Sequence, residues 1–415
     1  MDFELRPVTK PGRRLIALTE EHASDFATRA DQHDRENSFP FENIEAMQKS
    51  GVMAACVPEE FGGFGVDSVH DMALGIGRLG RGDASTAIAA NMHVSGSWVA
   101  TRVWRAAKAR HDAQLVGATE GLLRQIGAGQ MVTCAPASEP GTDTRHPLTE
   151  ATRVDGTYVL NGHKIFGTLS PPANLFFVIV RVPDGHGGFR ESLALVPRGA
   201  PGMEIKDNWD ALGMRGSGSH DITFKDCVIP EATVFEQGPW GEWNELNLEI
   251  AVAGNMGLVA AFLGIAEAAR DIIVDLVKTR RKAPSNRTLA ERYSIQHTIA
   301  EIEIDLAACR AMLGRSGLAA DAFFGEHPRG RVDLDELHQL AKDFQCTKWF
   351  VNRKAIEIVD RTLTASGGAG YLSKSPLSRM YRDVRAGPFM QPLSPNEAFE
   401  YIGKITLGLG PEIDG

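Results

Sequence analysis

Tyr158-Val159-Leu160-Asn161-Gly162-His163-Lys164-Ile165-Phe166-Gly167-Thr168 stands mid-chain, where long helical patterns give way to short β-prone runs. Asp155-Gly156 and Asn161-Gly162 read as turn dipeptides flanking the Tyr158-Val159-Leu160 run. Leu175-Phe176-Phe177-Val178-Ile179-Val180 and Ser192-Leu193-Ala194-Leu195-Val196 follow, each bounded by Gly, Pro, Asp or Asn. Irregular spacing and several prolines predict a small antiparallel β-barrel or sandwich over residues 131–238.

On either side the pattern is helical. Residues 1–130 read as an all-α domain, with helical stretches over Thr19–His33, Phe41–Lys49, Ser68–Leu79 and Ala84–Ala107. The last is Ala-rich and low in charge, as in a buried helix. Within residues 239–415, Ile295, Ile299, Ile302, Leu306, Cys309 and Met312 recur at steps of three and four. So do Leu337, Leu340, Phe344, Lys348, Val351, Ala355 and Ile358, with Lys348 the one polar member. Two such striped helices, joined by a loop over Glu326–Val332, predict a four-helix bundle. Gly254, Gly257 and Gly264 point to close helix contact. The fold class is therefore α+β, ordered as helical domain, β domain and helical bundle.

The 415 residues suffice for two or three domains, and 43% hydrophobic with 23% charged content is ordinary for a globular chain. A net charge of −9 argues against a general nucleic-acid binder. Five scattered cysteines without a Cys-x-x-Cys pair fit free thiols better than a disulfide frame or zinc site. The N-terminus lacks the pattern of a signal peptide, and no run of about 18 apolar residues is read as a membrane span. A cytoplasmic location is expected.

Six motifs stand in order along the chain: Val57-Pro58-Glu59-Glu60-Phe61-Gly62-Gly63-Phe64-Gly65, Ser138-Glu139-Pro140-Gly141-Thr142-Asp143-Thr144, Asn161 to Thr168, Leu212-Gly213-Met214-Arg215-Gly216-Ser217, Phe224 to Pro230, and Gly367-Gly368-Ala369-Gly370-Tyr371 with Arg379-Met380-Tyr381-Arg382-Asp383. Together, and over nearly the whole chain, they resemble the acyl-CoA dehydrogenase superfamily. The resemblance implies FAD between the β domain and the C-terminal bundle. Thr168 would bond flavin N5, or only pair within the sheet. Phe166 would lie against the isoalloxazine, or be plain core. Ser138 and Thr144 would meet flavin oxygens and pyrophosphate, and Gly367 and Gly368 would allow close approach to the nucleotide. Arg281 or Arg287 would pair with a neighbour's cofactor pyrophosphate, or stand solvated at the surface. A homodimer or homotetramer is implied.

Dehydrogenases of this family take a proton from the carbon beside a thioester, which needs a carboxylate. Most carry it where this chain has Gln391 in Met390-Gln391-Pro392, and a minority carry it near Asn247. Both positions hold amides, which cannot act as bases near neutral pH. A two-residue shift of alignment would instead bring up Glu249. Pro392 resembles reduced-flavin monooxygenases of the same fold, which need a sheltered pocket and a donor near the reacting oxygen. His93 would serve as that donor, or be a hydrogen-bonded core histidine. Three readings result: an FAD-dependent oxidoreductase acting on an acyl thioester or related small molecule, a monooxygenase using reduced FMN or FAD from a separate reductase, and a homologue without turnover. The first two carry a flavin reductase or electron-transfer protein as a partner.

Overall fold

A computed structural model of the protein describes residues 3–412. The chain begins with helices α1 (Lys10–Phe26), α2 (Ala30–Glu36), α3 (Phe41–Ser50), α4 (Val69–Gly82), α5 (Ala84–Ala109) and α6 (Ala113–Gly127). Ser68 starts α4 by accepting from Asp71 N at 3.0 Å, and Asp83 starts α5 by accepting from Ser85 N at 3.1 Å. The Thr19–His33 stretch is two helices rather than one. It breaks at residues 27–29, where the Thr28 hydroxyl donates to the Asp25 carbonyl at 2.6 Å.

The strands are β1 (Thr133–Cys134), β2 (Glu150–Val154), β3 (Thr157–Gly167), β4 (Leu175–Pro183), β5 (Phe189–Pro197), β6 (Met203–Ile205), β7 (His220–Pro230) and β8 (Val234–Pro239). They form one eight-stranded sheet ordered β6-β7-β3-β2-β4-β5-β8, with β1 on β4. The sheet is mixed, which corrects the purely antiparallel expectation: β1 and β2 run parallel to β4. Asn174 explains the first, since it exchanges main-chain and side-chain hydrogen bonds with Val132 and so starts β1 and β4 side by side.

Asn161-Gly162 is not a turn. It lies inside β3 at a register shift opposite β7. There the Asn161 side chain replaces a ladder bond by accepting from Asp226 N at 2.9 Å. A Cβ on Gly162 would fall 2.3 Å from Thr149 Oγ1, so this glycine serves close approach rather than chain reversal.

Helices resume with α7 (Glu245–Glu249), a π-helical turn over Ile250–Gly254, and α8 (Asn255–Thr279). A short ribbon of β9 (Arg281–Lys282) and β10 (Arg287–Thr288) leads to α9 (Tyr293–Glu326), α10 (Leu334–Ser366), α11 (Pro376–Asp383) and α12 (Pro395–Thr406). Helix α8 is the hub, packed on α4, α5, α9 and α10, while α12 lies along α10. A Cβ on Gly264 would fall 2.3 Å from the Gly77 carbonyl, so backbones of α8 and α4 nearly touch. By length and composition Glu245–Thr279 does qualify as a membrane span, contrary to expectation. Its most apolar window is 94% buried within the protein, so its apolar surface is spent on the core.

Helices α2 and α11 meet. Arg379 Nε donates to Asp31 at 2.7 Å, and Arg382 Nη1 donates to Asp34 at 2.8 Å. Between them Asp383 accepts from Met214 N at 2.7 Å, and burial pushes its carboxyl up to about 6.

Candidate active site

The β sheet, α5, α6, the α7–α8 junction and the segment after α11 enclose a cavity of about 1180 Å³. Pockets for a single small molecule run to about 1,000 Å³, so this one has room for a cofactor and a substrate together. Among its wall residues Glu236 is the one carboxylate, and it is paired with Arg190, whose Nε donates at 2.9 Å. The charged groups otherwise on the wall are Arg110, Arg329, Arg382 and Arg385.

One wall comes from β3 and the loop before β2. Buried Lys164 donates to buried Glu139 at 2.5 Å, and Glu139 also accepts from Leu148 N at 2.8 Å and Thr149 N at 3.0 Å. Burial works against the charged form of both partners. Their mutual attraction and hydrogen bond favour it, and the Glu139 carboxyl stays below its ordinary range. This pair ties the Ser138 loop to β3. Ile165 N donates to Ser138 O at 2.9 Å. Phe166 then takes φ 55°, a left-handed conformation costly for an aromatic residue, and its ring is 57% exposed on the cavity wall. Beyond it, Thr168, Ser219 and Ser217 form a hydroxyl row with oxygens 2.8 and 2.7 Å apart. All three line the cavity. Ser219 was not singled out in the sequence; the serines at 217 and 219 only acquire meaning once β7 pairs with β3.

Gln391 and Ser138 come together on this wall, where the Gln391 amide N–H donates to the Ser138 hydroxyl. Gln391 Oε1 is buried and has no hydrogen-bond partner among the described residues. An exposed aromatic face, a row of hydroxyls and an orphaned acceptor suit a flat heteroaromatic group with polar edges, so these residues fit a flavin. The loop is fixed from behind by Lys348 of α10. Its ammonium is 3% exposed and donates to the Met390 carbonyl and, at 2.7 Å, to the Leu393 carbonyl. Burial pulls this lysine down to about 7. It is the polar member of the otherwise apolar α10 stripe, and that interruption was the signal for its role.

Other sequence candidates lie elsewhere. His93 faces away from the cavity into the core. Thr133 N donates to its Nδ1 at 3.0 Å, and burial pulls its ring down to about 4, so it stays neutral. Asn247 does not line the cavity either; it closes a capping box with Asn244 and donates to Glu191 at 3.1 Å. Leu246, Ile250 and Gly254 occupy the wall instead. Glu249 is fully buried and committed at both oxygens, accepting from Arg102 Nε at 2.8 Å and pairing with Arg329. Thr144 is half-buried off the cavity wall. Arg281 and Arg287 are exposed on the β9–β10 ribbon, where Arg281 donates to Asn286 O at 2.7 Å. Gly367 and Gly368 are exposed at the end of α10.

Three family models match the chain in order. They are the acyl-CoA dehydrogenase N-terminal domain over residues 16–109, its middle domain over 134–227 and its C-terminal domain over 256–391. Amino sugar nitrososynthase DnmZ of Streptomyces peucetius is 35% identical over 408 residues, covering 97% of this chain and 95% of that protein. L-evernosamine nitrososynthase of a Micromonospora species is 34% identical over 415 residues, covering 98% and 93%. The solved structure of KijD3 with FMN and dTDP-3-amino-2,3,6-trideoxy-4-keto-3-methyl-D-glucose is 34% identical with a TM-score of 0.89, covering 98% of this chain and 96% of that one. A flavin-shaped wall and full-length similarity to flavin enzymes lead to one assignment: the chain belongs to the acyl-CoA dehydrogenase family and is a flavin-dependent oxidoreductase.

Proposed function

We propose that this protein is a reduced-flavin monooxygenase that oxidises the amino group of a nucleotide-linked sugar. The observation that carries the reading is the chemistry of the cavity wall. Gln391 stands where proton removal from a thioester would need a carboxylate, and it is engaged with Ser138. Glu236 is neutralised by Arg190, and Glu249 is locked outside the cavity by two arginines. An amine already carries the lone pair that attacks an electrophilic oxygen, so it needs no carbon acid to be deprotonated. When bound, reduced flavin supplies the electron pair with which O₂ is split, one atom going to the amine and the other to water.

The chain's part is to hold and to shelter. Phe166 and the Thr168–Ser219–Ser217 row would present a face and an edge to a flavin ring. The apolar residues of α5, α6 and the π turn line the cavity and would keep water from the reacting amine. The nitrososynthases at 34–35% identity, and the KijD3 structure with FMN and an amino sugar nucleotide, support both the flavin and the substrate class. FMN or FAD delivered by a separate reductase is the expected form. A closed homo-oligomer is also proposed, because Tyr293 and Tyr371 are each 82% exposed and Ile304 is 68% exposed; a monomer in sedimentation would refute it.

The test combines the protein with NADH, a flavin reductase, FMN, O₂ and a dTDP-linked amino sugar. Mass spectrometry is expected to show the hydroxylamine and then the nitroso product. Anaerobic bleaching of bound flavin by an acyl-CoA, with formation of the enoyl product, would sink the reading in favour of thioester dehydrogenation.

A further inference from the structure

We propose that Arg110 and Arg329 form the diphosphate-binding subsite of the cavity, with Glu249 as the positioning residue that holds Arg329 there. The inference rests on the nucleotide-sugar reading above and adds where the anion goes. Arg110 ends α5 and lines the cavity, and among the described residues no carboxylate pairs with it. Arg329 lies on the loop between α9 and α10 and lines the same cavity. Arg110 reaches the loop that carries Arg329: a Cβ on Gly330, the next residue, would fall 2.7 Å from Arg110 Nη1.

Glu249 fixes this loop from inside. One carboxylate oxygen accepts from Arg102 Nε at 2.8 Å and the other pairs with Arg329 Nη1. Arg102 in turn donates to the Phe324 carbonyl at 3.0 Å and the His327 carbonyl at 3.1 Å, pinning the end of α9. Glu245 accepts from Gly330 N at 2.9 Å. Arg102 and Arg329 thus share the one carboxylate of Glu249, and Arg110 beside them has none among the described residues, so positive charge is in surplus at this end of the cavity. Only Nη1 of the Arg329 fork is used among the described residues, so the remaining N–H groups are available to an oxyanion. A diphosphate, with oxygens for both forks, matches this pair better than a single carboxylate.

Calorimetry on the FMN-loaded protein, with dTDP and thymidine as probes, tests the subsite. Arg110→Ala and Arg329→Ala are each expected to weaken dTDP binding at least tenfold while leaving thymidine and FMN within twofold. Glu249→Gln is expected to weaken dTDP about threefold to tenfold with thymidine unchanged, a loss confined to the diphosphate that a general packing defect would not give. Arg329→Lys, which keeps the charge without the fork, should fall between native and Arg329→Ala. Unchanged dTDP affinity in both alanine variants overturns the subsite alone. A native protein that binds FMN but not dTDP removes the nucleotide-sugar reading and the subsite with it.

Discussion

Replacing Lys348 with methionine should give the protein a stability profile whose difference from native depends on pH. The ammonium is 3% exposed and sits among apolar neighbours on α10, and burial pulls it down to about 7 from an ordinary 10.5. A basic group of this kind binds fewer protons in the fold than in the unfolded chain. Native stability therefore rises with pH across the window from about 7 to 10.5, and is lost as pH falls toward 7. Within that window the slope approaches about 1.4 kcal/mol per pH unit. Between pH 7.5 and 9.5 the native protein should gain about 2–3 kcal/mol relative to Lys348→Met, and below pH 6.5 the difference should be flat. Urea denaturation at fixed subunit concentration measures it. A difference that stays constant from pH 6 to 9.5 would mean that Lys348 titrates alike in the folded and unfolded states, and that its burial carries no penalty on the charge. The variant also frees the Met390 and Leu393 carbonyls, so FMN affinity should fall with it.

Three further outcomes are expected. Phe166→Gly should raise the stability of flavin-free protein by about 1 kcal/mol, by relieving the positive φ, while weakening FMN binding in a fluorescence titration; unchanged FMN affinity would show that the ring makes no cofactor contact. Glu139→Gln leaves Lys164 charged, buried and unpaired, and should cost about 3–5 kcal/mol in urea unfolding; a loss under 1 kcal/mol would mean that water reaches the site. Gln391→Ala removes the partner of the Ser138 hydroxyl and should raise the FMN Kd roughly tenfold, about 1.4 kcal/mol, with no gain of acyl-CoA oxidation by either measure of flavin bleaching or enoyl product.

How much of this was legible in the sequence differs from residue to residue, for physical reasons. The helix–sheet–helix order follows from local periodicity and is readable within single segments. Asn161-Gly162 misled because the same dipeptide that makes a tight turn also makes a bulge; the deciding contacts, to Asp226 and Thr149, lie on other strands. His93 could be judged only once α5 was seen to turn it toward Thr133 and away from the cavity. The resemblance puts a minority's base near Asn247, but a π turn over Ile250–Gly254, which no residue pattern announced, sets how α7 is rotated relative to α8 and so which of its residues face the cavity. Glu249 needed partners 147 and 80 residues away to show why a carboxylate stands so near the cavity without lining it. That Gln391 cannot itself act as a base was legible without geometry, because an amide has no suitable protonation state near neutral pH.

The pairs joining Arg379 to Asp31 and Arg382 to Asp34 each span 348 residues. These contacts close the longest loop of any hydrogen bond between the described residues, and contacts of such separation are made late in folding. Helices of the first hundred residues and the central sheet can assemble as the chain emerges, but the segment carrying Gln391 docks only after nearly all of it is available. The cofactor wall is thus completed last. Flavin present during synthesis meets a nearly finished protein, and what it stabilises is the final docking step rather than the early helices or sheet.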